Sequence, residues 1–440
     1  MGAIIRSYER NIERRVEAEK TRGVRTSRDE PTAAPWEPGQ DVREAIPPLG
    51  LREYWYPAMP ASAIKNKPRY WIMLGEELVF FRDKQDEVVA LWDFCPHRGA
   101  SLSDPDNWHF PGFISCPYHG ATFDGQGECV AFLTEGPDSR MVGRLRAKVF
   151  PTRTLKGWVF VWMGEGEPAP IEEDVPPEFF HDDVGLFGSY TYWETNWLLA
   201  IENHSDAHNC FYVHRNCWNV LLGLTNGRNR SPLGPKSELV NGGLRAIYDN
   251  QNYYADADGR MPYQMYYPGI DAHWPKHRWR QLWIPIIQRL LKTGGRKSHR
   301  GSDEWQLGHH LPSIVRTGGG NTRYSVPVKA NLSRIVHFYF PAKRRGLAKL
   351  WEWMYYGLIY NPLHYEFSGA DDGAASQCRF WAPEHLSPTD AQVVVLRRMV
   401  VERSRDAQRA KERRSSPQPM HDVPLAPEPK TEPEPIPTGR

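Results

Sequence analysis

Two short groups of cysteine and histidine are the residues best suited to chemistry in this chain. Cys95 and His97 are separated by one residue, Cys116 and His119 by two, and 18 residues lie between the groups. Two thiolates on one iron and two imidazoles on the other can hold a [2Fe–2S] cluster. Because neutral imidazole donates less charge than thiolate, such a cluster accepts an electron at a relatively high potential, roughly −150 to +300 mV. These four residues therefore predict a one-electron relay.

A structural zinc site is the alternative, because two cysteines and two histidines also form a zinc ligand set. Zinc sites usually pair cysteine with cysteine and histidine with histidine, whereas each group here mixes the two types. Small residues follow each group, Gly99-Ala100 in the first and Gly120-Ala121 in the second, and they allow backbone N–H groups to approach cluster sulfurs. The pattern favours a Rieske [2Fe–2S] centre over zinc.

Length, charge and cysteine use limit the other possibilities. The chain has 440 residues, which is about three domains' worth and more than an electron carrier needs. A net charge of +2 gives no electrostatic case for nucleic acid as a partner. The four cysteines outside the cluster show no disulfide framework, which favours a cytoplasmic location. No apolar run of about 18 residues predicts a membrane span.

Changes in composition divide the chain into four parts. Short segments rich in β-forming residues, separated by polar and glycine turns, predict a small antiparallel β domain around the cluster residues. A proline- and acid-rich linker follows near residue 166. The predicted parts are an N-terminal helical arm (1–50), the cluster domain (51–165), a second domain (166–412) and a disordered proline-rich tail (413–440).

A second group of polar residues lies in the second domain, on a segment from Asn196 to His214 that otherwise looks like a helix with an apolar face. Buried ionisable groups are costly unless they are paired or bind metal. Two histidines and a carboxylate form the facial triad that holds non-haem Fe(II) and leaves positions open for O₂ and substrate. The segment therefore predicts a mononuclear iron site. Its polar residues are Asn203, His204, Asp206, His208 and His214.

Both regions resemble one family. CPHRGASL and CPYHGATFDGQG are similar to the cluster-binding loops of Rieske non-haem iron oxygenases, and Glu202-Asn203, Asp206 and His214 match the start and end of their iron motif. The resemblance is to the terminal oxygenase (alpha) subunits of the carbazole and oxoquinoline group. It implies an α+β fold, with an antiparallel β Rieske domain followed by a helix-grip catalytic domain.

The first iron histidine departs from the family motif. Asn209 stands three residues after Asp206, and His208 comes one position early. On a regular helix His208 and His214 would lie some 120° apart, too far for one face. A bulge could turn His208 inward, Asn209 could take the ligand position, or His204 could take part. We expect His208 and His214 to bind the iron, because imidazole is a better Fe(II) ligand than a neutral amide.

The resemblance also assigns the third ligand and an electron route. FSGADD is similar to the family's Phe-Ser-x-Gln-Asp pattern, which makes Asp371 the ligand and Asp372 its possible replacement, with Ala370 at the Gln position. Alternatively, both acids could be dipole partners at a helix N-terminus. Asp206, with Asn203 in the same motif, would hydrogen-bond an iron histidine and, across a subunit boundary, the cluster ligand His119.

The implied function is that of a terminal oxygenase. Electrons would pass from NAD(P)H through a separate reductase, with or without a ferredoxin, and O₂ would hydroxylate a small aromatic, heteroaromatic or similar hydrophobic substrate. The family assembles as homotrimers. The alternatives are a Rieske monooxygenase acting as an O- or N-demethylase or on a steroid-like ring, and a Rieske carrier or sensor with an impaired iron site.

Three further predictions concern the second domain and its end. Residues 279–292, which are apolar with a basic border, predict a packed surface element or a cover over a substrate entrance; the alternative is contact with a membrane or a lid partner. The pair His309-His310 is assigned no role. A Ser-Pro-Thr-Asp start at Ser387 predicts a single helix that continues to about Arg414.

Overall fold

The fold is described from a computed structural model. It covers residues 41–104, 110–204, 213–214, 217, 236–240, 243–247, 308–317, 321–343, 345–386 and 390–415. The predicted arm before residue 41, the segment 279–292 and the tail after residue 415 lie outside these ranges.

The first part is built from short antiparallel strands. They form three small sheets with the orders β1-β10-β9, β2-β3-β4-β8 and β5-β6-β7. The segments predicted from β-forming residues are β2, β3, β4 and β10. The strands are β1 Trp55–Pro60, β2 Arg69–Met73, β3 Glu76–Arg82, β4 Val88–Trp92, β5 Ile114–Ser115, β6 Ala121–Phe123, β7 Cys129–Phe132, β8 Val149–Phe150, β9 Thr152–Leu155 and β10 Trp158–Trp162.

One apolar core of this part lies beneath the predicted cluster loops. Val79 and Leu91, on paired strands, are fully buried together with Phe123 and Phe132. Cys95 and Cys116 belong to the same core. Burial of this apolar area fixes the two loops on a rigid base, since each large apolar side chain contributes about 1.5–3 kcal/mol when removed from water.

The second part is organised around one antiparallel sheet. Its described strands have the order β11-β17-β16-β15-β14-β13-β12. A short 3₁₀ helix, Val42–Ala45, precedes the first part. The strands are β11 Phe187–Trp193, β12 Lys236–Val240, β13 Gly243–Ile247, β14 Gly308–His310, β15 Ile314–Thr317, β16 Asn321–Lys329 and β17 Leu332–Tyr339.

The two faces of this sheet pack against different partners. Val336 and Phe338 of β17 join the core that contains Trp158 and Phe160 of the first part. Alternate residues point the other way, so that Ile335 packs with apolar residues of the helical layer. The helices of that layer and of the C-terminus are α1 Trp197–Glu202, α2 Leu347–Met354, a π-helix Tyr355–Tyr360, α3 Asn361–Ala375, α4 Ala391–Arg403 and α5 Arg405–Ser415.

The predicted helix from Asn196 to His214 is wrong in extent. Asn196 caps α1 by accepting a hydrogen bond from the Leu198 N–H, and the helix ends at Glu202 with Asn203 as its C-cap. His214 lies in a turn. His214 therefore does not lie on a regular helix, and the predicted 120° separation does not apply to it; His208 lies outside the described residues.

Two predictions near the C-terminus also need correction. The single helix expected to run to about Arg414 is two helices, since Ser404 is extended (ψ 149°) between α4 and α5, and Asp390 rather than Ser387 is the residue before α4. Asp371 and Asp372 lie near the C-terminal end of α3. They are therefore not partners of a helix N-terminus.

Candidate functional site

The two predicted cluster loops have the same backbone geometry. In the first, the Cys95 N–H donates to the Ala100 carbonyl and the Gly99 N–H to the Cys95 carbonyl. Cys116 and Gly120 repeat both bonds in the second, the former donating to the Ala121 carbonyl. Both glycines have positive φ, 78° and 67°, a conformation that residues with a Cβ rarely adopt. Each loop is thus a tight turn that holds its cysteine at the base.

The four predicted ligands come together at the tip of these loops. The rings of His97 and His119 are 4.8 Å apart between centres. Both cysteines are buried, and a hydrogen bond between their thiols raises the pKa of Cys95 and lowers the pKa of Cys116. The Nδ1 atom of His119 is buried with no hydrogen-bond partner. An unpaired buried nitrogen beside two thiols fits a bound [2Fe–2S] cluster.

The described residues include two of the predicted ligands of the mononuclear iron site, His214 and Asp371. His214 and Asp371 are both buried, and the His214 Nε2 lies 2.9 Å from the Asp371 Oδ1. The His214 ring stacks on Phe367 with 3.4 Å between ring centres, and its Nδ1 lies 3.6 Å from the Cys217 Sγ. These contacts fix both sides of the imidazole. The arrangement leaves Nε2 and a carboxylate oxygen side by side, which are the donor atoms that Fe(II) takes from a facial triad.

The neighbouring acid, Asp372, has another role. Its Oδ1 accepts a hydrogen bond from the Glu194 N–H at 3.2 Å, which joins α3 to the end of β11. Burial, together with the charges of Glu194 and Asp371, raises the pKa of Asp372 to about 7. A carboxyl group that is partly protonated near neutral pH and turned toward the backbone is the poorer ligand. The geometry favours Asp371.

The other predicted residues fall into two groups. Asn203 and His204 follow α1, and the His204 ring lies 5.6 Å from that of His309, whose Nε2 donates to the Ile201 carbonyl. Burial lowers the pKa of His309 to about 4, so this ring is neutral. Asp206, His208 and Asn209 lie outside the described residues. In the part of the chain that the structure describes, no three His, Cys, Asp or Glu side chains gather around a single ion.

A polar group near Asp371 was not predicted from the sequence. His364 lies seven residues before Asp371 on α3, hence on the same helix face, and its Nε2 is 3.2 Å from the His337 Nδ1 on β17. Arg323, opposite His337 on β16, is buried beside them. Two features of the sequence could have predicted this group. Alternate residues of β17 face the helices, and His364 and Asp371 are seven residues apart on α3.

Comparison with known proteins gives two family matches. Residues 54–150 match the family described as Rieske [2Fe-2S] domain, and residues 162–231 match the one described as homotrimeric ring hydroxylase. Two stretches of this chain are therefore similar to the two domain families of Rieske terminal oxygenases. The first match lies inside the predicted cluster domain, and the domain boundaries themselves stay predictions.

Individual relatives agree with these matches. The chain is 36% identical over 208 residues to the carbazole 1,9a-dioxygenase terminal oxygenase component of Sphingomonas sp, covering 46% of this chain and 54% of the relative. It is 32% identical to the oxygenase component of dicamba O-demethylase from Stenotrophomonas maltophilia, covering 38% of this chain and 48% of the relative. The chain thus spans about half the length of these relatives.

A solved neighbour supports the fold. The structure described as the reduced complex between oxygenase and ferredoxin in carbazole 1,9a-dioxygenase superposes with a TM-score of 0.60, covering 86% of this chain and 96% of that chain at 20% identity. The α+β prediction, with an antiparallel β Rieske domain followed by a domain of sheet and helices, is confirmed. No helix within the described ranges is long and apolar enough to cross a membrane.

Proposed function

We propose that this protein is the terminal oxygenase component of a Rieske oxygenase system. It would use O₂ and electrons that originate from NAD(P)H to hydroxylate an aromatic, heteroaromatic or similar hydrophobic substrate. The observation that carries the proposal is the buried contact between His214 and Asp371. A chain that served only as an electron carrier would have no use for a second pair of metal-ligating side chains in its other domain.

The cluster ligands are Cys95, His97, Cys116 and His119 in this proposal. The cluster supplies single electrons, and the non-haem iron supplies open positions for O₂ activation. At the cluster site the protein contributes two similar tight turns, which hold the thiols of Cys95 and Cys116 in a buried position. His119 lies close to Tyr118, whose side chain is exposed, so the histidine edge is near the surface from which an electron must enter or leave.

At the second site, His214 and Asp371 are the proposed iron ligands, with His208 as the third. Phe367 holds the His214 ring by stacking, and Cys217 contacts its other nitrogen. If Nε2 binds the iron, the hydrogen of the neutral ring must be on Nδ1, where the Cys217 sulfur accepts it. Asp206, with Asn203 in the same motif, is the proposed link to the cluster histidine of a neighbouring subunit.

The partners follow from the same proposal. A ferredoxin, a reductase or both would reduce the cluster, in line with the solved oxygenase–ferredoxin neighbour. Assembly as a homotrimer, suggested by the family matched at 162–231, would bring one subunit's cluster near the next subunit's iron. We propose a cytoplasmic location because the cysteines show no disulfide framework.

The decisive experiment measures iron and O₂ uptake together. Purified full-length protein should hold about three irons per chain, two in the cluster and one at the second site. With a surrogate reductase and NADH it should consume O₂ when an aromatic substrate is present. A count of about two irons with no O₂ uptake on any aromatic, heteroaromatic or steroid substrate would instead identify a carrier or sensor.

Three variants then test the unassigned first ligand. His208→Ala should lose the mononuclear iron and keep the cluster, whereas His204→Ala and Asn209→Ala should retain both metals. Full iron and activity in His208→Ala would overturn its assignment. Asp206→Asn should keep both metal centres and lose turnover, since it keeps the side chain's shape and removes its charge.

An O-demethylase is the second candidate, favoured by the similarity to the dicamba enzyme. It requires the same metal ligands and differs in the substrate. Product analysis with a methoxylated aromatic acid and with carbazole separates the two: release of formaldehyde identifies demethylation, and a hydroxylated ring identifies ring hydroxylation.

A further inference from the structure

The helix-facing side of the large sheet carries a group of unsatisfied polar atoms. Ser189 and Arg323 lie on either side of His337 in the strand register. The atoms Ser189 Oγ, Asn321 Oδ1, Arg323 Nε and Ser325 Oγ are all buried without a hydrogen-bond partner. Native proteins satisfy about 90% or more of such groups. Four orphaned atoms on one sheet face therefore indicate the place of a ligand's polar group.

Arg323 is the charged member of this group. Arg323 is only 8% exposed. Its Nη2 donates to the Ala200 carbonyl at 2.7 Å, and its guanidinium lies 5.1 Å from the centre of the Trp193 ring. Among the residues that the structure describes, no carboxylate forms an ion pair with it. A buried positive charge without a directly bonded anion is costly, and an incoming anion would remove that cost.

The two histidines beside Arg323 add hydrogen-bonding capacity without adding charge. Burial lowers the pKa of His337 and, to about 4, that of His364. When the His364 Nε2–H donates to the His337 Nδ1 at 3.2 Å, the neutral His337 ring carries its own hydrogen on Nε2 and can donate it. Arg323 thus provides the positive charge, and the imidazoles provide neutral donors next to it.

The position of this group relates it to the iron site. Asp371 is near enough for its charge to oppose the effect of burial on the pKa of Arg323 and of His364. His364 and Asp371 also share one face of α3. A molecule with a polar end at Arg323 would therefore have its remaining atoms close to the His214–Asp371 pair.

We propose that Arg323 anchors an anionic oxygen group, a carboxylate or phenolate, carried by the aromatic substrate. The proposal rests on the proposed oxygenase function and narrows its substrate class from hydrophobic aromatics to aromatic acids. A guanidinium edge can donate two parallel N–H bonds to the two oxygens of a carboxylate, and the orphaned Nε of Arg323 is one of these donors. The apolar ring of the substrate would then be directed toward the iron.

A pair of probes that differ in charge tests the anchor directly. Binding of 1-naphthoate and of the neutral 1-naphthalenemethanol to the full-length, cluster-loaded protein is measured by titration calorimetry at pH 7.5. Wild-type protein should bind the acid at least about tenfold more tightly than the alcohol, the size expected for a charged hydrogen bond. Arg323→Gln should abolish this preference with little change for the alcohol, and Arg323→Lys should keep part of it.

The matched control is Arg334→Gln. Arg334 is buried on the next strand but points to the opposite face, where it donates to the Ile72 carbonyl and lies over the Trp71 ring. This variant should keep the preference for the acid. Equal binding of the two probes by wild-type protein, as expected if water alone satisfies the orphaned atoms, would overturn the anchor. An unchanged preference in Arg323→Gln would do the same.

The outcome is separable from the proposed function because it requires no turnover. A preference for the acid that depends on Arg323, without O₂ uptake, counts against the oxygenase and leaves the anchor standing. O₂ uptake with no preference for the acid counts against the anchor alone. The visible spectrum of the cluster and the thermal transition of each variant show whether the variant folds. Equal binding of the two probes by wild-type protein overturns the anchor even if a variant does not fold.

Discussion

At the scale of single residues, the imidazole of His214 has a defined neighbour on every side. Asp371 faces Nε2, Cys217 faces Nδ1 and Phe367 covers the ring. A ligand held on all sides loses little conformational entropy when a metal binds. The sequence predicted His214 and Asp371 from a motif, but Cys217 and Phe367 belong to the surrounding packing, for which a single sequence has no separate signal.

Removing the sulfur beside His214 should weaken the mononuclear iron site selectively. We expect Cys217→Ala to lower the affinity for Fe(II) about 10- to 100-fold, the usual effect of losing an outer hydrogen-bond partner of a ligating histidine. Cys217→Ser should recover part of it. The measurement is Fe(II) titration with the EPR signal of the Rieske cluster as internal reference. Cys378→Ser, which changes an exposed cysteine, is the control, and an equal loss in both variants would contradict the role of Cys217.

The two adjacent acids should behave differently. Asp371→Asn is expected to lose the mononuclear iron, because a neutral amide replaces the carboxylate beside His214. Asp372→Asn should keep it, because an amide oxygen still accepts the Glu194 N–H. Iron per chain, measured by mass spectrometry, distinguishes the two. Retention of about three irons in Asp371→Asn would show that another residue is the carboxylate ligand.

At the scale of elements, a buried ion pair joins the helix before the iron motif to the C-terminal helices. Arg397 of α4 donates to both carboxylate oxygens of Glu202 at 2.6 and 2.9 Å and also contacts Glu384. Glu202 is buried at the end of α1. Since Asn203 follows directly, α4 fixes the position from which the iron motif begins.

Replacing one partner of this ion pair should lower the free energy of unfolding more than replacing both partners. Arg397→Met leaves Glu202 buried without its ion-pair partner, and we expect a loss of about 3–5 kcal/mol in the free energy of unfolding. The double variant Glu202→Gln/Arg397→Met should recover most of that loss. Urea unfolding measures both. Arg146→Met, which removes an exposed pair with Glu128, is the control and should cost about 0–1 kcal/mol. Equal losses in the single and double variants would rule out this explanation.

At the scale of the whole molecule, Asp174 connects three parts of the chain. Its side chain accepts from the Trp55 N–H of β1 and pairs with Arg405 of α5, and its carbonyl accepts from Tyr324 of β16. Burial raises the pKa of Asp174 to about 6, against the opposing effect of Arg405. The first part, the large sheet and the C-terminal helix therefore meet at one residue, Asp174.

This carboxyl group should make stability depend on pH in a defined window. The folded pKa of about 6 lies above the ordinary value of 3.8, so the folded protein binds the proton more tightly than the unfolded chain. The contribution is present below about pH 4 and is lost as pH rises toward 6. Asp174→Asn should therefore flatten the pH dependence of thermal unfolding between pH 4 and 6. An unchanged slope in that window would contradict the raised pKa.

Features that depend on residues close together in the sequence were predicted correctly. The cluster loops follow from the spacing of cysteine and histidine, and the short strands of the first part follow from runs of β-forming residues, whereas the α+β class came from the family resemblance. Features that depend on distant packing were not predicted. No residue type near Glu202 marks the end of α1, and the break between α4 and α5 at Ser404 lies where Arg405 contacts the Glu53 carbonyl and the Asp174 side chain. The polar group at Arg323 was missed because its members come from strands and a helix far apart in the chain.

The π-helix Tyr355–Tyr360 affects how the chain can change in length next to the proposed iron ligand. A π-turn holds one residue more than an α-turn, so the six residues of this segment turn through about the same angle as five residues of an α-helix. A one-residue deletion there, with a return to α geometry, should therefore keep α2 and α3 in nearly the same relative rotation and leave Asp371 against the sheet. The segment is thus a place where the chain can lose one residue without moving the proposed iron ligand.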